Sequence, residues 1–214
     1  MSKTKVFISA IPAQPKGQLK SPVYEPHGNS KLAYGETRFP IIPVINGYAE
    51  SGDIVRVIAI LTEGENFTHN FDEYFVPDIG NIAREKGLVF GGVETIRTAD
   101  SEDIDTQLKL FGDIIGKVND EEEIYACITY GTKPTPIVES MALSYAYRLK
   151  KGVSIGCIVY GRYFNYDPNG NNGIYDTTAL FYMDSIVNKL AELKLQNPEA
   201  AIRAMLGIGG GEND

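Results

Sequence analysis

Apolar segments of strand length alternate with segments of helical periodicity along this chain of 214 residues. The clearest strand is predicted at 53–61 (DIVRVIAIL), because a near-continuous apolar run is typical of a parallel strand covered on both faces. Four further strands are predicted from β-branched and apolar composition at 4–11, 93–98, 124–129 and 153–160. Strands separated by helices indicate an α/β fold. We predict a single-domain, Rossmann-like, mainly parallel sheet with helices on both faces.

Helical periodicity predicts the connections between these strands. The predicted helices are 36–50, whose regular part follows its prolines, 70–87, 104–118 and 136–150, and Asp176 opens a last one. Two of them carry apolar stripes at helical spacing: Ile104, Leu108, Phe111 and Ile115 in one, and Ile137, Met141, Tyr145 and Leu149 in the other. A further stripe over 180–190 is interpreted as core packing, with contact to a second copy or to a missing domain as alternatives.

Three connecting segments have distinct compositions. The long Pro-, Gly- and Ser-rich stretch 13–36 predicts either a functional loop or a β-excursion. The acidic run Asp120–Glu123 is interpreted as a solvated turn, and 167–173 (DPNGNNG) predicts a turn or hairpin tip. We predict one domain over 1–195, followed at 196–214 by a tail or the start of a linker to an absent effector.

Charge and cysteine content exclude several classes of protein. The formal net charge of −8 argues against a binder of long DNA or RNA, because counterion release favours basic surfaces, but it leaves room for a small phosphate pocket. Cys127 and Cys157 lie in apolar runs and are predicted to be buried reduced thiols; no zinc spacing is present. With neither a secretory leader nor a membrane-length apolar run, we expect a soluble, cytoplasmic protein that needs no metal or cofactor.

Ligands of open parallel sheets bind outside the carboxyl ends of the strands. The residues that follow the predicted strands there are Ser9, Ala10 and Ile11, then Thr62 and Glu63, then Thr129, Tyr130, Gly131, Thr132 and Lys133, and finally Gly161, Arg162 and Tyr163. The segment 128–136 (ITYGTKPTP) is the sharpest of these, because a glycine-containing turn joins a buried strand to a helix start. Free N–H groups, the helix dipole, the Thr129 and Thr132 hydroxyls and the Lys133 ammonium would favour an anion there. A tight turn with a solvated lysine is the alternative. The spacing fits neither a Walker loop nor a dinucleotide fingerprint.

The stretch 125–160, with Thr129, Gly131, Thr132, Lys133 and Pro134 in its turn, resembles the CARF family, the CRISPR-associated Rossmann fold. Other segments are also similar to that family: KVFISAI at the start, ETRF at 36–39, the Tyr160–Gly161 pair, and YDTT at 175–178. The resemblance covers about residues 4–195. Ala126 and Ile128 depart from the family, in which an acidic residue often precedes the threonine.

The resemblance implies a homodimer that binds a cyclic oligoadenylate, the second messenger of type III CRISPR antiviral defence, across its two-fold axis. Ser9, Ala10, Thr62 and Thr129 to Lys133 would line the floor, with Ile11 and Glu63 beside them. Lys133 would meet phosphate or ribose oxygens. Arg162 and Tyr163, after Gly161, would cover the ring, and Arg38 would contribute from the first helix.

Two functions remain open after this resemblance. No ribonuclease or metal-nuclease motif is visible, and His27 and His69 lack a neighbouring arginine at the required spacing. The chain is therefore predicted to be a sensor of the messenger, with cyclic tetra-adenylate first among the rings, acting alone or with a missing effector. The alternative is a metal-independent ring nuclease, in which Lys133, Ser9 and Thr132 would be the catalytic candidates.

Overall fold

The computed structural model describes residues 3–163 and 172–207. It divides into two compact units, Met1–Thr177 and Thr178–Asp214. The sequence-based boundary at 195 lies inside the second unit. The turn predicted at 167–173 lies outside the described residues except for Asn172 and Gly173, and so does the end of the predicted tail, 208–214.

The first unit is built on an eight-stranded sheet. Its strands are β1 (Lys5–Ala10), β2 (Val23–His27), β3 (Gly35–Glu36), β4 (Ile54–Thr62), β5 (Val89–Thr98), β6 (Glu123–Cys127), β7 (Ser154–Arg162) and β8 (Gly173–Asp176). They are ordered β3-β2-β8-β7-β6-β1-β4-β5. The run from β7 to β5 is parallel throughout, whereas β8 pairs antiparallel to β7. The α/β class, the mostly parallel sheet and all five sequence-predicted strands are confirmed.

Helices connect the strands at nearly the predicted positions. They are α1 (Ile41–Tyr48), α2 (Glu65–Asn70), α3 (Val76–Lys86), α4 (Ile104–Lys117), α5 (Thr135–Leu149), α6 (Thr178–Leu193) and α7 (Pro198–Met205). The helix predicted at 70–87 is interrupted, because Phe71–Phe75 forms a π-helical turn between α2 and α3. The predicted tail contains α7. The segment 13–36 is a β-excursion, since β2 and β3 extend the sheet beyond β8.

The core lies on both faces of the sheet. Phe7 and Ile11 of β1 pack in one buried cluster with Ile45 of α1. The intervening Ile8 and Ala10 are 2% and 1% exposed, and they face the opposite side because strand residues alternate. That opposite side is where α4 and α5 pack together.

The apolar stripes of α4 and α5 point away from this core. Met141 and Leu149 of α5 are 59% and 70% exposed, and Leu108 of α4 is 60% exposed. The buried face of α5 instead carries small and mid-sized residues, among them Ala142 and Ala146. The periodicity therefore predicts the helices correctly, and it marks an outward apolar surface that the fold of one chain does not cover.

Two local interpretations need correction. The acidic run is not a fully solvated turn: Glu122 is 4% exposed and pairs with Arg56 of β4, because it closes the amino end of the sheet. The stripe on α6 is core at Leu190, which is 4% exposed, but Leu180 is 70% exposed. Among residues 3–163 and 172–207, no helix combines the length and apolar character that crossing a membrane requires.

Candidate functional site

The carboxyl edge of the parallel strands holds the cavity that most of the predicted turn residues line. β1 lies between β4 and β6, and the register places Ser9 beside both Ala59 and Cys127, so the strand ends meet at one level. A cavity of about 650 Å³ opens above them. Its lining includes Glu63, Thr129, Tyr130, Gly131 and Thr132 of the predicted set, together with 12–14, 64–67 and Asp100.

The turn from β6 to α5 is shaped by Gly131. Its φ of 109° is a backbone conformation that L side chains rarely adopt, and an added Cβ would lie 2.7 Å from the Thr135 Cβ. The hydroxyl oxygens of Thr132 and Thr135 lie 3.0 Å apart, and the Thr135 amide donates to the Thr132 carbonyl at 3.0 Å. The turn is thereby tied to the first residue of α5.

The backbone donors of this turn differ from the prediction. At the start of α5 the amides of Thr135 and Ile137 donate within the turn, and Pro134 and Pro136 have no amide hydrogen, so the helix start offers few free N–H groups. The free donors come earlier. In the described part of the chain, the amides of Gly131, Thr132 and Lys133 have no hydrogen-bond acceptor. Successive free amides of this kind form an anion-binding concavity.

Lys133 stands next to these amides. It is exposed, and no acidic side chain among the described residues pairs with it. Three carboxylates, Glu63, Glu65 and Asp100, line the side of the cavity formed by the segments after β4 and β5. The cavity is therefore electrostatically two-sided, with positive charge beside the turn and negative charge opposite it.

Four predicted residues lie beneath the cavity instead of lining it. Ser9, Ala10, Ile11 and Thr62 are 1%, 1%, 0% and 5% exposed, and they end β1 and β4 within the core. The Ser9 hydroxyl donates to the Ala10 carbonyl at 3.2 Å. These residues support the floor and do not present polar atoms to it.

The remaining predicted residues divide between the site and its surroundings. The Gly161 amide donates to the Thr129 hydroxyl at 2.8 Å, which joins β7 to the turn, and a Cβ at Gly161 would overlap the ring of Pro40. Arg162 is exposed at the end of β7, and Tyr163 lines a second cavity together with Tyr130. The Arg38 guanidinium is engaged elsewhere, 3.7 Å from the Asp78 carboxylate and over the ring of Tyr74.

Sequence reasoning missed a buried acid below the turn. Glu139 of α5 is 2% exposed, and neither carboxylate oxygen has a hydrogen-bond partner within the described residues. Burial raises the pKa of this carboxyl well above its usual value. It lies one helical turn after Thr135 on the same face, and α-helical side chains lean toward the amino end, so it extends toward the turn. Its only sequence signal is an acid in an otherwise uncharged helix face.

The two cysteines are buried and free, as predicted. Burial raises the pKa of the Cys127 thiol to about 11, so this thiol is protonated at neutral pH, and its sulfur lies 3.1 Å from the Thr129 hydroxyl. Over residues 3–163 and 172–207, no group of three or more His, Cys, Asp or Glu side chains could hold a metal ion.

No protein-family model and no curated protein sequence matches this chain.

Proposed function

We propose that this chain is a CARF-like sensor that binds a cyclic oligoadenylate across a homodimer and thereby regulates type III CRISPR defence. The observation that carries the proposal is the run of three free amides, Gly131 to Lys133, beside the unpaired Lys133 ammonium at the cavity rim. Amides and an ammonium that converge on one point are donors for a phosphate oxygen. The cavity of about 650 Å³ is within the range of small-molecule sites.

The outward face of α4 and α5 supports the homodimer. Ile104, Leu108, Ile137, Met141 and Leu149 are each at least 59% exposed on it. The ring of Phe111 lies 6.0 Å from that of Tyr145, so the stripes of the two helices form one continuous surface. A monomer rarely exposes so large an apolar patch, and a second copy of the same patch would cover it.

The charge pattern of α5 fits that arrangement. Between Thr135 and Tyr147 the only charged side chain is Glu139, and it is buried, so the exposed face carries no charge over this length. The centre of a protein–protein interface is depleted of charged residues. Because the turn that precedes α5 is continuous with this face, a two-fold contact through it would bring two phosphate-binding turns toward one ligand.

The geometry favours a sensor over a ring nuclease. Ser9 is buried under the floor and donates to its neighbour's carbonyl, and the Thr132 hydroxyl is engaged with Thr135. Neither hydroxyl is therefore presented to align the 2′-oxygen of a ribose. We expect tight binding with slow cleavage or none, and cyclic tetra-adenylate is the first ring to test.

The test is isothermal titration of the purified chain with cyclic tetra- and hexa-adenylate, with chromatography of the ligand after several hours. Lys133→Ala should weaken binding by about 1.5–3 kcal/mol, the range of a charge-assisted hydrogen bond. The matched control is Lys151→Ala, because this lysine is 82% exposed on another loop. Linear products with 2′,3′-cyclic phosphate ends would favour the ring nuclease, and no binding of either ring would refute the proposal.

A further inference from the structure

A second cavity, of about 360 Å³, adjoins the first. Gln14 and Tyr130 line both of them, so these two side chains form the wall between the cavities. The second cavity is lined on one side by the segment that precedes β2 and on the other by Tyr24, Tyr130 and Tyr163. Its lining is thus aromatic and amide in character, and Lys20 is its only charged residue.

A buried amide holds the segment that covers this cavity. Asn70 is 0% exposed, and its side-chain nitrogen donates to the carbonyls of Pro12 and Gln14, each at 2.9 Å. Asn70 is the last residue of α2, directly before the π-helical turn Phe71–Phe75. The Gln14 backbone is therefore anchored to the helix layer even though its side chain is exposed.

The tyrosines form a rigid aromatic wall. Tyr24 is 1% exposed, and the Tyr130 hydroxyl donates to the Arg38 carbonyl at 2.9 Å. Burial raises the pKa of Tyr24 to about 12, so the phenol stays neutral at physiological pH. Tyr163 is 41% exposed at the cavity mouth. Neutral aromatic surface suits the face of a flat heterocycle and gives no attraction to phosphate.

The amides supply what such a heterocycle needs at its edge. A glutamine side chain has one acceptor and two donor hydrogens, which match the N7 acceptor and the N6 amino group of adenine in a bidentate pair. Gln14 and Gln18 both line the cavity. Uracil lacks that pattern of donor and acceptor.

We infer that this second cavity is a subsite for an adenine base, in which Gln14 contacts the base edge and Asn70 is the positioning residue that holds Gln14 in place. The inference rests on the proposed function, because that function supplies an adenylate whose phosphate would lie at the turn 131–133. The wall shared by the two cavities is where a ribose would connect base and phosphate.

The test compares cyclic tetra-adenylate with cyclic tetra-uridylate by isothermal titration. Gln14→Ala should weaken adenylate binding about tenfold or more and leave uridylate binding unchanged, because only the base-edge contact is removed. Gln196→Ala is the matched control, since it removes an exposed glutamine of the second unit. An equal loss for both rings, or no loss for either, would overturn the inference while leaving the proposed function standing.

Asn70→Ala separates positioning from simple support of the fold. We expect the ratio of adenylate to uridylate affinity to fall in this variant, whereas a purely structural role would lower both affinities together. If the wild-type chain binds neither ring, the proposed function fails, and titration with 5′-AMP and 5′-UMP followed by side-chain amide NMR then decides the subsite. A selective shift of the Gln14 amide with 5′-AMP would support it, and no shift would refute it.

Discussion

Replacing Glu139 by glutamine tests whether the buried acid below the turn is neutral in the folded protein. The carboxyl is 2% exposed and has no partner among the described residues, and its pKa is raised well above the ordinary value of 4.5 by burial. Glu139→Gln keeps the shape and removes the ability to ionise. Any pH dependence of stability that the substitution removes therefore belongs to this one group.

The direction follows from proton linkage. Between the unfolded and the folded pKa, the folded state binds a proton that the unfolded state has released, so the free energy of unfolding falls as pH rises through that interval. The slope is at most about 1.4 kcal/mol per pH unit, and it acts below the folded pKa. The glutamine variant lacks this slope, but its buried amide leaves donors unpaired, which costs about 1–3 kcal/mol at every pH.

We therefore expect the variant to be less stable than the wild type near pH 5 and to gain on it steadily toward about pH 8. Urea unfolding at fixed ionic strength, with equal m-values in both proteins, measures the difference. Glu85→Gln, which changes an exposed glutamate of α3, is the control and should show no such gain. A constant difference across the pH range would mean that Glu139 is ionised in the folded chain and has a partner.

Three further predictions concern the turn, the sheet and the apolar face. Gly131→Ala should lower the free energy of unfolding by about 1–3 kcal/mol and abolish ligand binding, since its φ of 109° and the nearby Thr135 leave no room for a Cβ; urea unfolding and titration measure both effects. Glu122→Gln should cost about 2 kcal/mol of stability in the same unfolding assay, because it removes a charged partner of Arg56 at a buried site. Met141→Glu should shift the protein to monomers in sedimentation velocity and weaken cyclic adenylate binding, whereas the comparably exposed Leu193→Glu should leave both unchanged; a dimer that survives Met141→Glu would show that this face is not the contact.

The sheet was predictable because its strands carry their own signal. Runs such as 53–61 are apolar on both faces, which only a strand covered on both sides requires, and the structure places β4 inside the sheet between β1 and β5. The β-excursion of 13–36 was predicted only as an alternative, because its strands are short and contain Pro26. Their pairing depends on β8, which is distant in sequence.

The orientation of the helices was harder to predict. On α5 the conspicuous stripe of Ile137, Met141 and Leu149 is exposed, whereas the small residues Ala142 and Ala146 are buried against the sheet. Periodicity shows that an apolar face exists, but it cannot tell a face that packs on the chain's own core from one that packs on another molecule. Close helix–sheet packing selects small residues, and these give a weak hydrophobic signal.

The site was predictable in its location and not in its donors. Brändén-type placement at the carboxyl edge and the sequence 128–136 lead to the cavity that contains Thr129 to Thr132. The free amides nevertheless precede the helix, because Pro134 and Pro136 and the internal bonds of the turn leave few at its start. Asn70 and Gln14 lie far apart in sequence, and only the fold shows that one anchors the other.

The charges around the cavity determine which way a nucleotide would lie in it. Glu63, Glu65 and Asp100 line the side opposite the turn, and a phosphate there would meet like charge in a partly enclosed space. The free amides and Lys133 therefore provide the favourable position for the anion, at the side that leads to Tyr130 and Gln14. A base extending from that phosphate meets neutral aromatic and amide groups in one direction and carboxylates in the other. The same acidic surplus that argues against long polyanions thus orients a small one, and neutralising Glu63 and Glu65 together should relax that orientation before it weakens binding.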